Sequence, residues 1–535
     1  MKRTLMFVIV LPLLSLMGLM SALKLYASPA QTSTATFTVN STIDATDANP
    51  GNGICETGAG NGVCTLRAAV QETNALAGAD VINLPSGIYT LTIPGNDFDA
   101  AMGDLNITDA LQILGESNTT TIVDGNNLNE IFDVQLGTGQ EVTMADLTMR
   151  NGSRGIFHST DDTKLYLYRV IIREHHNEHS GGGIYNQGYM EVISSTIQEN
   201  IGGSGGGGIY NSGTAIIHQS IIVSNSAPYA GLGGGIYNSG ILTLTNSIVK
   251  GNSVLADGWG SNAGGVYNSG EYAEITIENS TLSQNTSQWG IGGFGNYWGV
   301  ARLINVTISE NDNGGVIQYG GGRSYITNTS IISNFHDSSA VSLNVSQGEA
   351  FLANTIIAGE TSIDNCIGSI NSSGNNLESG NSCGLNSAGD ITNTNPFVEP
   401  LQWNGGDTQT HALQPGSPAI DAGNDSACPS IDQRGATRPS GLHCDIGAYE
   451  FDSGLTAIDD TINTTQNIPV LIPVLENDLP GNNGDPFLDS VGTPMSGTAV
   501  ISGTFVFYTP TLDILGTDIF SYTISDGVFT STANI

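Results

Sequence analysis

A twelve-residue pattern recurs eight times between residues 164 and 360, and it limits the possible folds more than any other feature of the chain. The copy at 241–252, ILTLTNSIVKGN, shows it most clearly. When the copies are aligned, the fourth and ninth positions are always aliphatic, whereas the sixth and twelfth are polar and mostly Asn. The fourth positions are Leu167, Val192, Ile217, Leu244, Ile277, Leu303, Ile326 and Leu352, and the twelfth positions are His175, Asn200, Asn225, Asn252, Asn285, Asn311, Asn334 and Glu360.

A glycine-rich segment, here called the clasp, separates successive copies. The clasp has the sequence GGGIYN at 181–186, 206–211 and 233–238. Shorter or altered forms of it occupy 264–268 and 292–296. Runs of alternating apolar and polar residues, broken by Gly, Asn and Ser, predict strands. Successive fourth positions lie 23 to 33 residues apart, a spacing typical of one solenoid coil. Since each coil returns one strand spacing higher, the sequence predicts a parallel β-helix.

The polar columns are expected to be structural. Asn tolerates left-handed backbone at a corner and can hydrogen-bond its counterparts in the coils above and below. Two buried aliphatic residues contribute about 3–6 kcal/mol per coil, less than the entropy of ordering that coil, so neighbouring coils must stabilise one another. The test of this fold is whether Leu244 and Ile277 lie in adjacent layers of one core.

The first thirty residues have the features of a secretion signal. Lys2 and Arg3 precede an apolar run at 5–23, and small residues allow cleavage near Ala27 or Ala30. An uncleaved membrane anchor is the alternative, because the run is nearly long enough to span a bilayer. We expect a secreted or cell-surface protein that contacts a membrane only through segment 1–30 or through an anchor beyond the given residues.

Composition agrees with an extracellular β protein. The chain has 70 glycines and only 12% charged residues, which is typical of turn-rich β structure. The formal net charge of −36 excludes nucleic acid as a partner. An acidic surface outside the cell is compatible with calcium, the one cofactor that the sequence suggests. The expected partner is a carbohydrate or another cell-surface ligand.

The six cysteines form three close pairs, all outside the repeat. Six cysteines allow fifteen pairings, so the expected disulfides are inferred from proximity alone. Zinc is the alternative, and it is weak because no pair has C-x-x-C spacing. The pairs are Cys55 with Cys64, Cys366 with Cys383, and Cys428 with Cys444.

Residues 31–110 precede the repeat and are predicted to cap it. Thr65 can cap a short helix whose Leu66, Ala69, Val70 and Thr73 share a face. The segment CTLRAAVQETNA at 64–75 resembles the CSLREA-type domain of large secreted bacterial proteins, with Thr65 in place of Ser and Ala68 in place of Glu. The resemblance implies an N-terminal cap on a right-handed parallel β-helix, which we assign to 111–370. The clasps are also similar to repeats of polymorphic outer-membrane proteins and to the pectate-lyase-like superfamily.

Residues 371–452 resemble the choice-of-anchor Q domain. The resemblance rests on NPFVEPLQWNGGDTQTHALQPGSPAIDAGN and DQRGATRPSGLHCDIGAYEF, and it implies a C-terminal cap before a variable surface-attachment module. Two interpretations of its charges stay open: buried ion pairs that hold the loops together, or a ligand site. The charged residues concerned are Arg434 and Arg438 with Asp432, Asp445 and Glu450.

Residues 456–535 change to alternating strands interrupted by prolines and lack the clasp. They resemble the tandem cadherin-like immunoglobulin domains of bacterial adhesins, which implies an Ig-type β-sandwich of seven strands. We expect the given sequence to end partway through the last strand, as a truncated domain would. The resemblance implies calcium ligands, and solvated turn residues are the alternative. The implied ligands are Asp460, Asn477, Asp478 and Asp526.

Three groups of residues are candidates for chemistry. HHNEH at 175–179 fits the H-x-x-E-H pattern of zinc peptidases, but that motif needs a helix, so a solvated loop or a weak metal or anionic-sugar contact is expected instead. A polysaccharide lyase would need carboxylates that bind calcium and a basic residue that removes a proton; the candidates are Asp161, Asp162, Arg169 and Arg173. One tyrosine per clasp could stack on sugar rings or form a structural ladder; these are Tyr185, Tyr210, Tyr237 and Tyr267.

The sequence therefore predicts an all-β chain: a capped right-handed parallel β-helix followed by an immunoglobulin-like sandwich. The favoured function is adhesion or contact with carbohydrate, without catalysis. The competing function is a polysaccharide lyase or glycoside hydrolase that acts on acidic polysaccharide.

Overall fold

A computed structural model describes residues 35–229, 231–255, 262–334, 341–359, 364–452, 454–481, 485–527 and 529–535. The predicted signal segment 1–30 and Glu360 lie outside these ranges. In the described ranges, a parallel β-solenoid is followed by a small antiparallel sandwich. The prediction of an all-β fold of this type is confirmed.

The largest sheet of the solenoid, here called the main sheet, has 22 strands in two stacks that merge near its C-terminal end. The short stack contains Leu105–Ile107, Phe132–Val134, Ile156–His158, Ile184–Asn186, Ile209–Asn211, Ile236–Asn238, Val266–Ser269, Phe294–Tyr297 and Val316–Tyr319. The long stack contains Thr36–Thr38, Asp80–Leu84, Leu111–Gly115, Glu141–Ala145, Lys164–Tyr168, Tyr189–Ile193, Thr214–His218, Ile241–Thr245, Glu274–Glu278, Val300–Ile304 and Arg323–Thr327. Leu343–Ala353 pairs with both stacks, and Cys366–Ser372 pairs with Leu343–Ala353.

Two further sheets complete each coil. The second sheet has 12 strands: Gly87–Thr90, Thr121–Asp124, Thr148–Arg150, Ile171–Arg173, Thr196–Gln198, Ile221–Val223, Ile248–Lys250, Thr281–Ser283, Thr307–Ser309, Ser330–Ile332, Ile356–Ala358 and Leu377–Glu378. The third sheet has five: His176–Asn177, Ile201–Gly202, Ser226–Ala227, Ser253–Val254 and Thr286–Ser287. The strands within all three sheets pair in parallel, as the prediction of a β-helix requires.

The aliphatic columns form one continuous core. Leu244 pairs with Ile277 in the next coil, and both side chains are fully buried. The sixth positions form the corner between the main and second sheets, where the backbone is left-handed at every copy; Asn246 and Asn279, for example, both have φ of 49°. The predicted corner role of the sixth column is therefore confirmed.

Two amide ladders run through the interior. Asn200, Asn225 and Asn252 of the twelfth column are fully buried, and each side-chain amide donates to the carboxamide oxygen of the next rung at 2.9 Å. The last residues of the clasps form a second ladder, in which Asn186 donates to Asn211, and Asn211 to Asn238, at 2.7 Å. The first ladder confirms the prediction, and the second had no counterpart in it.

A ten-residue helix, Leu66–Ala75, covers the N-terminal end of the core. The Thr65 hydroxyl accepts a hydrogen bond from the Ala68 amide at 3.1 Å, the N-cap that the sequence predicts. Leu66, Ala69 and Val70 pack into the solenoid core. The fully buried guanidinium of Arg67 pairs with Asp44 at 2.6 Å and also donates to loop carbonyls, which fixes the helix in place.

Residues 396–452, here called the strap, run along the flank of the solenoid after its last rung. The strap packs on the outer side of the second sheet, where Leu413, Ala419 and Ile446 contact Ile332 and Ile356. Hydrogen bonds also connect the strap to the second sheet. The Gln433 carboxamide donates to the Thr281 hydroxyl at 3.0 Å and accepts from the Thr307 hydroxyl at 2.6 Å. The segment predicted as a C-terminal cap thus covers a side of the solenoid over several coils.

The C-terminal sandwich has two antiparallel three-stranded sheets in the described residues. One contains Val470–Ile472, Gly497–Ser502 and Phe505–Pro510, and the other contains Phe487–Val491, Ser521–Ser525 and Thr530–Asn534. This gives six strands, where the family resemblance implied seven. Its core includes Ile472, Val506, Tyr522 and Ile524, none of which belongs to the solenoid core.

Disulfides join the three predicted cysteine pairs, Cys55–Cys64, Cys366–Cys383 and Cys428–Cys444. The first lies beside the cap helix, the second at the last rungs of the main sheet, and the third within the strap. Among the residues that the structure describes, no helix is long and apolar enough to cross a membrane.

Candidate functional site

The outward face of the main sheet carries the best candidate site. In each long strand the second and fourth residues of the repeat point into the core, so the first, third and fifth point outward. Because the strands are in register, equivalent outward positions form columns along the solenoid. The chemistry of this face is therefore set by what each copy places at three positions.

Three tyrosines and two carboxylates converge on neighbouring coils of this face; we call them the tyrosine patch. Tyr166 stacks parallel to Tyr168 with ring centroids 6.3 Å apart, and it meets Tyr189 edge to face at the same distance. The Tyr189 hydroxyl donates a hydrogen bond to Glu191. All three rings are half-buried. The patch consists of Glu141, Tyr166, Tyr168, Tyr189 and Glu191.

Burial and the neighbouring carboxylates keep the three phenols protonated. Burial and the charge of Glu191 raise the pKa of Tyr168 to about 12. The pKa of Tyr166 is raised by burial and by Glu141 and Glu191, and the pKa of Tyr189 is raised by burial and by its bond to Glu191. A phenol serves as a general base only if it ionises near the working pH. These phenols are therefore suited to donating hydrogen bonds and packing against a ligand, and poorly suited to removing protons.

The clasp tyrosines lie in the short stack of the same sheet. Tyr185 stacks on Tyr210 at 4.9 Å and Tyr210 on Tyr237 at 4.8 Å, with interplanar angles of 2° and 13°. Tyr237 and Tyr267 are 6.1 Å apart and tilted, and Tyr267 is only 3% exposed. The ring faces of Tyr210 are covered on both sides by other tyrosines, which is the ladder arrangement. A sugar could reach these residues only at ring edges, and Tyr267 is not the exposed aromatic that the sequence suggested.

The residues proposed for a polysaccharide lyase are not brought together. Asp161 and Asp162 lie in the turn before Lys164–Tyr168, and Arg169 lies in the corner after that strand. Seven residues separate Asp162 from Arg169, on the order of 20 Å along an extended chain. Arg169 pairs with Asp146 at 2.6 Å, and Arg173 lies in the second sheet and pairs with Glu174 at 2.8 Å. This candidate set does not form a single site.

The H-x-x-E-H segment is not a helix. His175 is a buried rung below Asn200, His176 and Asn177 form a strand of the third sheet, and His179 is exposed. Nδ1 of His175 accepts from the Gly152 amide at 3.0 Å, and Nε2 lies 3.2 Å from the Met149 carbonyl. Both ring nitrogens are thus occupied, and in the described ranges no cluster of three metal-ligating side chains occurs.

Three of the four implied calcium ligands, Asp460, Asn477 and Asp478, lie near one another in the sandwich. Asp478 accepts hydrogen bonds from the Ile458 amide at 2.7 Å and from the Tyr522 hydroxyl at 2.9 Å. The Asn477 amide donates to the Ile458 carbonyl at 3.1 Å. Burial and the neighbouring Asp478 raise the pKa of Asp460. Asp526 accepts from the Phe529 amide at 2.8 Å, an interaction within its own turn. Calcium binding at these residues stays a prediction.

The charges of the strap form internal ion pairs. Arg438 and Glu450 pair at 2.8 Å with both side chains almost fully buried, and Arg434 pairs with Asp432 at 2.7 Å while lying 3.6 Å over the Tyr449 ring. Burial raises the pKa of Asp445, and the charge of Glu450 adds to this effect. Of the two interpretations left open by the sequence, this geometry favours ion pairs that hold the loops together.

Sequence reasoning did not find the tyrosine patch, although the signal was present. Tyr166, Tyr168 and Glu191 occupy third and fifth positions of the repeat, which alternate with the aliphatic columns. The residues at those positions vary between copies. The invariant columns, in contrast, contain the structural residues of the core and corners. Reading only the outward positions of successive copies would have located the cluster.

The comparisons with known proteins concern both parts of the chain. Residues 453–535 match the bacterial Ig domain. The bacterial Ig domain and the disulfides are compatible with an extracellular or cell-surface protein. The resemblances to the CSLREA-type and choice-of-anchor Q families stay predictions.

The chain is similar in part to a solved structure. It is the A-module of the mannuronan C-5 epimerase AlgE6 from Azotobacter vinelandii, with 15% sequence identity and a TM-score of 0.32. The similarity covers 62% of this chain and 93% of that one. No curated protein matches the sequence.

Proposed function

We propose that this protein is displayed outside the cell and contacts carbohydrate through the outward face of its main sheet, without catalysis. The observation that carries the proposal is the tyrosine patch. Aromatic rings pack against the apolar faces of sugars, and neighbouring phenols and carboxylates hydrogen-bond sugar hydroxyls. The bacterial Ig domain, which follows the solenoid, is consistent with a surface-displayed role in adhesion.

The electrostatics of the patch favour uncharged sugars. Glu141 and Glu191 would repel the carboxylate of a uronic acid, just as burial and then these two charges raise the pKa of Tyr166. Hydroxyl groups, in contrast, find acceptors in the carboxylates and donors in the protonated phenols. This argues against the competing function, an enzyme that acts on acidic polysaccharide, at least at the tyrosine patch.

Binding of the whole chain to a glycan array tests the proposal. Wild type should bind uncharged glycans, and Tyr166→Ala should weaken that binding roughly three- to tenfold, as loss of one aromatic contact does. Tyr272→Ala is the matched control, because Tyr272 is 84% exposed and lies in a turn away from the patch. Equal binding by wild type and Tyr166→Ala would contradict the proposal.

A second experiment addresses catalysis. The protein is incubated with pectins and alginates in the presence of calcium, and unsaturated and reducing ends are measured. We expect no release above a heat-denatured control. Sustained release that Tyr189→Phe abolishes would show that the patch is catalytic and would replace the binding function with the lyase or hydrolase alternative.

A further inference from the structure

An aromatic side chain, Trp298, and a cationic one, Arg302, lie on the outward face of the main sheet, nearer the C-terminal end of the solenoid than the tyrosine patch. Trp298 is 49% exposed and occupies the turn between Phe294–Tyr297 and Val300–Ile304. Its backbone is left-handed, with φ of 67°, an unfavourable conformation for a bulky residue. Such strain persists only where the surroundings enforce it, and it is concentrated at functional sites.

The turn of the next coil supports the Trp298 indole. The ring lies on Gly320 and Gly321, and a methyl group added at Gly321 would come within 2.6 Å of Cζ3 of the indole. Tyr297 meets the indole edge to face at 6.2 Å and itself stacks on Tyr319 at 5.5 Å. Since one side of the ring rests on glycine and half of the residue is exposed, a broad aromatic surface is presented to solvent.

Arg302 lies on the strand Val300–Ile304 that follows this turn, four residues beyond Trp298. Among the arginines that the structure describes, it alone has no carboxylate within ion-pair distance. Its guanidinium lies 5.0 Å over the ring of Tyr325, which stacks in turn on Phe351 at 5.1 Å. The arginine is exposed, and the ring beneath it limits its orientations.

An unpaired, oriented guanidinium is unusual on a chain with a net charge of −36. A guanidinium presents its donors in a planar fork that matches the oxygens of a carboxylate or a sulfate. The neighbouring Arg323 is paired with Glu349 at 2.8 Å, so its charge is already partly neutralised. Arg302 is therefore the donor that an incoming anionic group would meet.

We infer that Trp298 and Arg302 form a binding subsite for a saccharide that carries an anionic group. The indole stacks on a sugar ring, and the Arg302 guanidinium binds the carboxylate or sulfate of a nearby sugar residue. Four residues of chain, from the turn into the strand, separate the two side chains by at most about 13 Å, so they would contact different residues of one glycan.

This inference rests on the proposed carbohydrate function and extends it. The subsite lies four coils beyond Tyr189, on the order of 19 Å along the solenoid axis, so a single extended glycan could contact both. The tyrosine patch would then bind uncharged residues of that glycan, and Arg302 would give the preference for a glycan that also carries an acidic residue.

The test compares three probes against the whole chain: a hyaluronan oligosaccharide, the same oligosaccharide with its carboxylates reduced to hydroxymethyl groups, and a sulfated neutral oligosaccharide. Reduction should weaken binding about tenfold or more, because charge-assisted hydrogen bonds are lost. Tight binding of the sulfated probe as well would show that the subsite accepts either anion. Equal affinity for the carboxylated and reduced forms, without binding of the sulfated probe, would overturn the inference.

Variants assign the effect to these residues. Arg302→Gln should remove the preference for anionic probes, and Arg302→Lys should restore only part of it, since a lysine cannot form the bidentate contact. Lys250→Gln is the charge-matched control, because Lys250 lies on the second sheet, away from this face. Gly321→Ala should displace the indole and weaken all three probes, whereas Trp289→Ala, which removes a different exposed tryptophan, should not.

The outcomes separate this inference from the proposed function. If Tyr166→Ala weakens binding of uncharged glycans while Arg302→Gln changes nothing, the proposed function stands and the subsite does not exist. If Arg302→Gln abolishes the anion preference while Tyr166→Ala is silent, the subsite stands and the tyrosine patch is not the main contact. Unchanged thermal transitions of all variants confirm that each has folded.

Discussion

His175 occupies a rung that the following coils fill with Asn. Its imidazole is buried at the N-terminal end of the ladder, where Asn200 is the next rung and Asp124 is the nearby charge. Burial lowers the pKa of His175 to about 4, from about 6.5 in an unfolded chain. The unfolded state therefore binds this proton more tightly than the folded state, and the stability of the fold decreases as the pH falls from about 6.5 to 4.

We predict that His175→Asn flattens this pH dependence. The wild type should lose about 3 kcal/mol at this residue across that window, since one pKa unit corresponds to about 1.36 kcal/mol. Asn at this position has no proton to gain and can continue the ladder. Chemical unfolding at pH 7 and pH 4.5 measures the difference, with the exposed His176→Asn as control. The same pH dependence in His175→Asn and wild type would contradict this assignment.

Asn252 tests the ladder itself. Its amide donates to Asn285 and to the Ile222 carbonyl, both at 2.9 Å, while its oxygen accepts from Asn225 at 2.9 Å. Asn252→Ala would leave buried donors of Asn225 without an acceptor, and each such group costs about 1–3 kcal/mol. We expect a loss of about 2–6 kcal/mol in the free energy of unfolding of the solenoid. Thr243→Ala, an outward residue of the same coil, should cost far less; similar losses in both variants would disprove the ladder's role.

At the scale of elements, the strap is the least predictable part of the fold. Its contacts with the solenoid are between residues distant in sequence. The Thr307 hydroxyl, for example, donates a hydrogen bond of 2.6 Å to Gln433, which lies 126 residues later. No local periodicity encodes such a pairing. Gln433 is only 3% exposed, and its carboxamide also donates to Thr281 and Thr408. It is therefore the residue whose loss should separate the strap from the second sheet.

We predict that Gln433→Ala loosens the strap and leaves the solenoid folded. The buried Thr307 hydroxyl loses its acceptor, and the hydroxyls of Thr281 and Thr408 each lose a donor, so local opening of the strap should become more frequent. Limited proteolysis should then cleave within 396–452 faster than in wild type, while circular dichroism of the solenoid stays unchanged. Gln402→Ala, an exposed change in the same segment, serves as control. Cleavage at wild-type rate would show that the apolar contacts alone hold the strap.

The elements that sequence reasoning predicted either repeat or follow from a local rule. Leu244 and Ile277 belong to a column that is aliphatic in eight copies, so their place in the core follows from period and chemistry. Thr65 and its helix follow from a local capping rule. The tyrosine patch and Trp298 were missed because they lie at positions that vary between copies. A single sequence does not distinguish a binding residue at such a position from tolerated variation.

At the scale of the whole molecule, the solenoid and the sandwich have separate cores. The solenoid core extends from Phe37 to Leu385, and the sandwich core from Leu455 to Ala533, with no residue in common. The rings of Phe451 and Phe529 lie 4.9 Å apart and join the strap to the sandwich, a small contact beside either core. Independent cores with little shared burial unfold separately.

We therefore predict two thermal transitions, each sensitive to its own core. Tyr522→Phe removes the bond from a fully buried hydroxyl to Asp478 at 2.9 Å, so it should shift only the sandwich transition, by about 4–8 °C for each kcal/mol lost. Leu244→Ala opens a cavity in the solenoid and should destabilise only the other transition, by about 2–5 kcal/mol. Differential scanning calorimetry of wild type and both variants distinguishes the cases. A single transition that both substitutions shift equally would mean that the Phe451–Phe529 contact couples the two parts into one cooperative unit. The bacterial Ig domain would then also stabilise the solenoid.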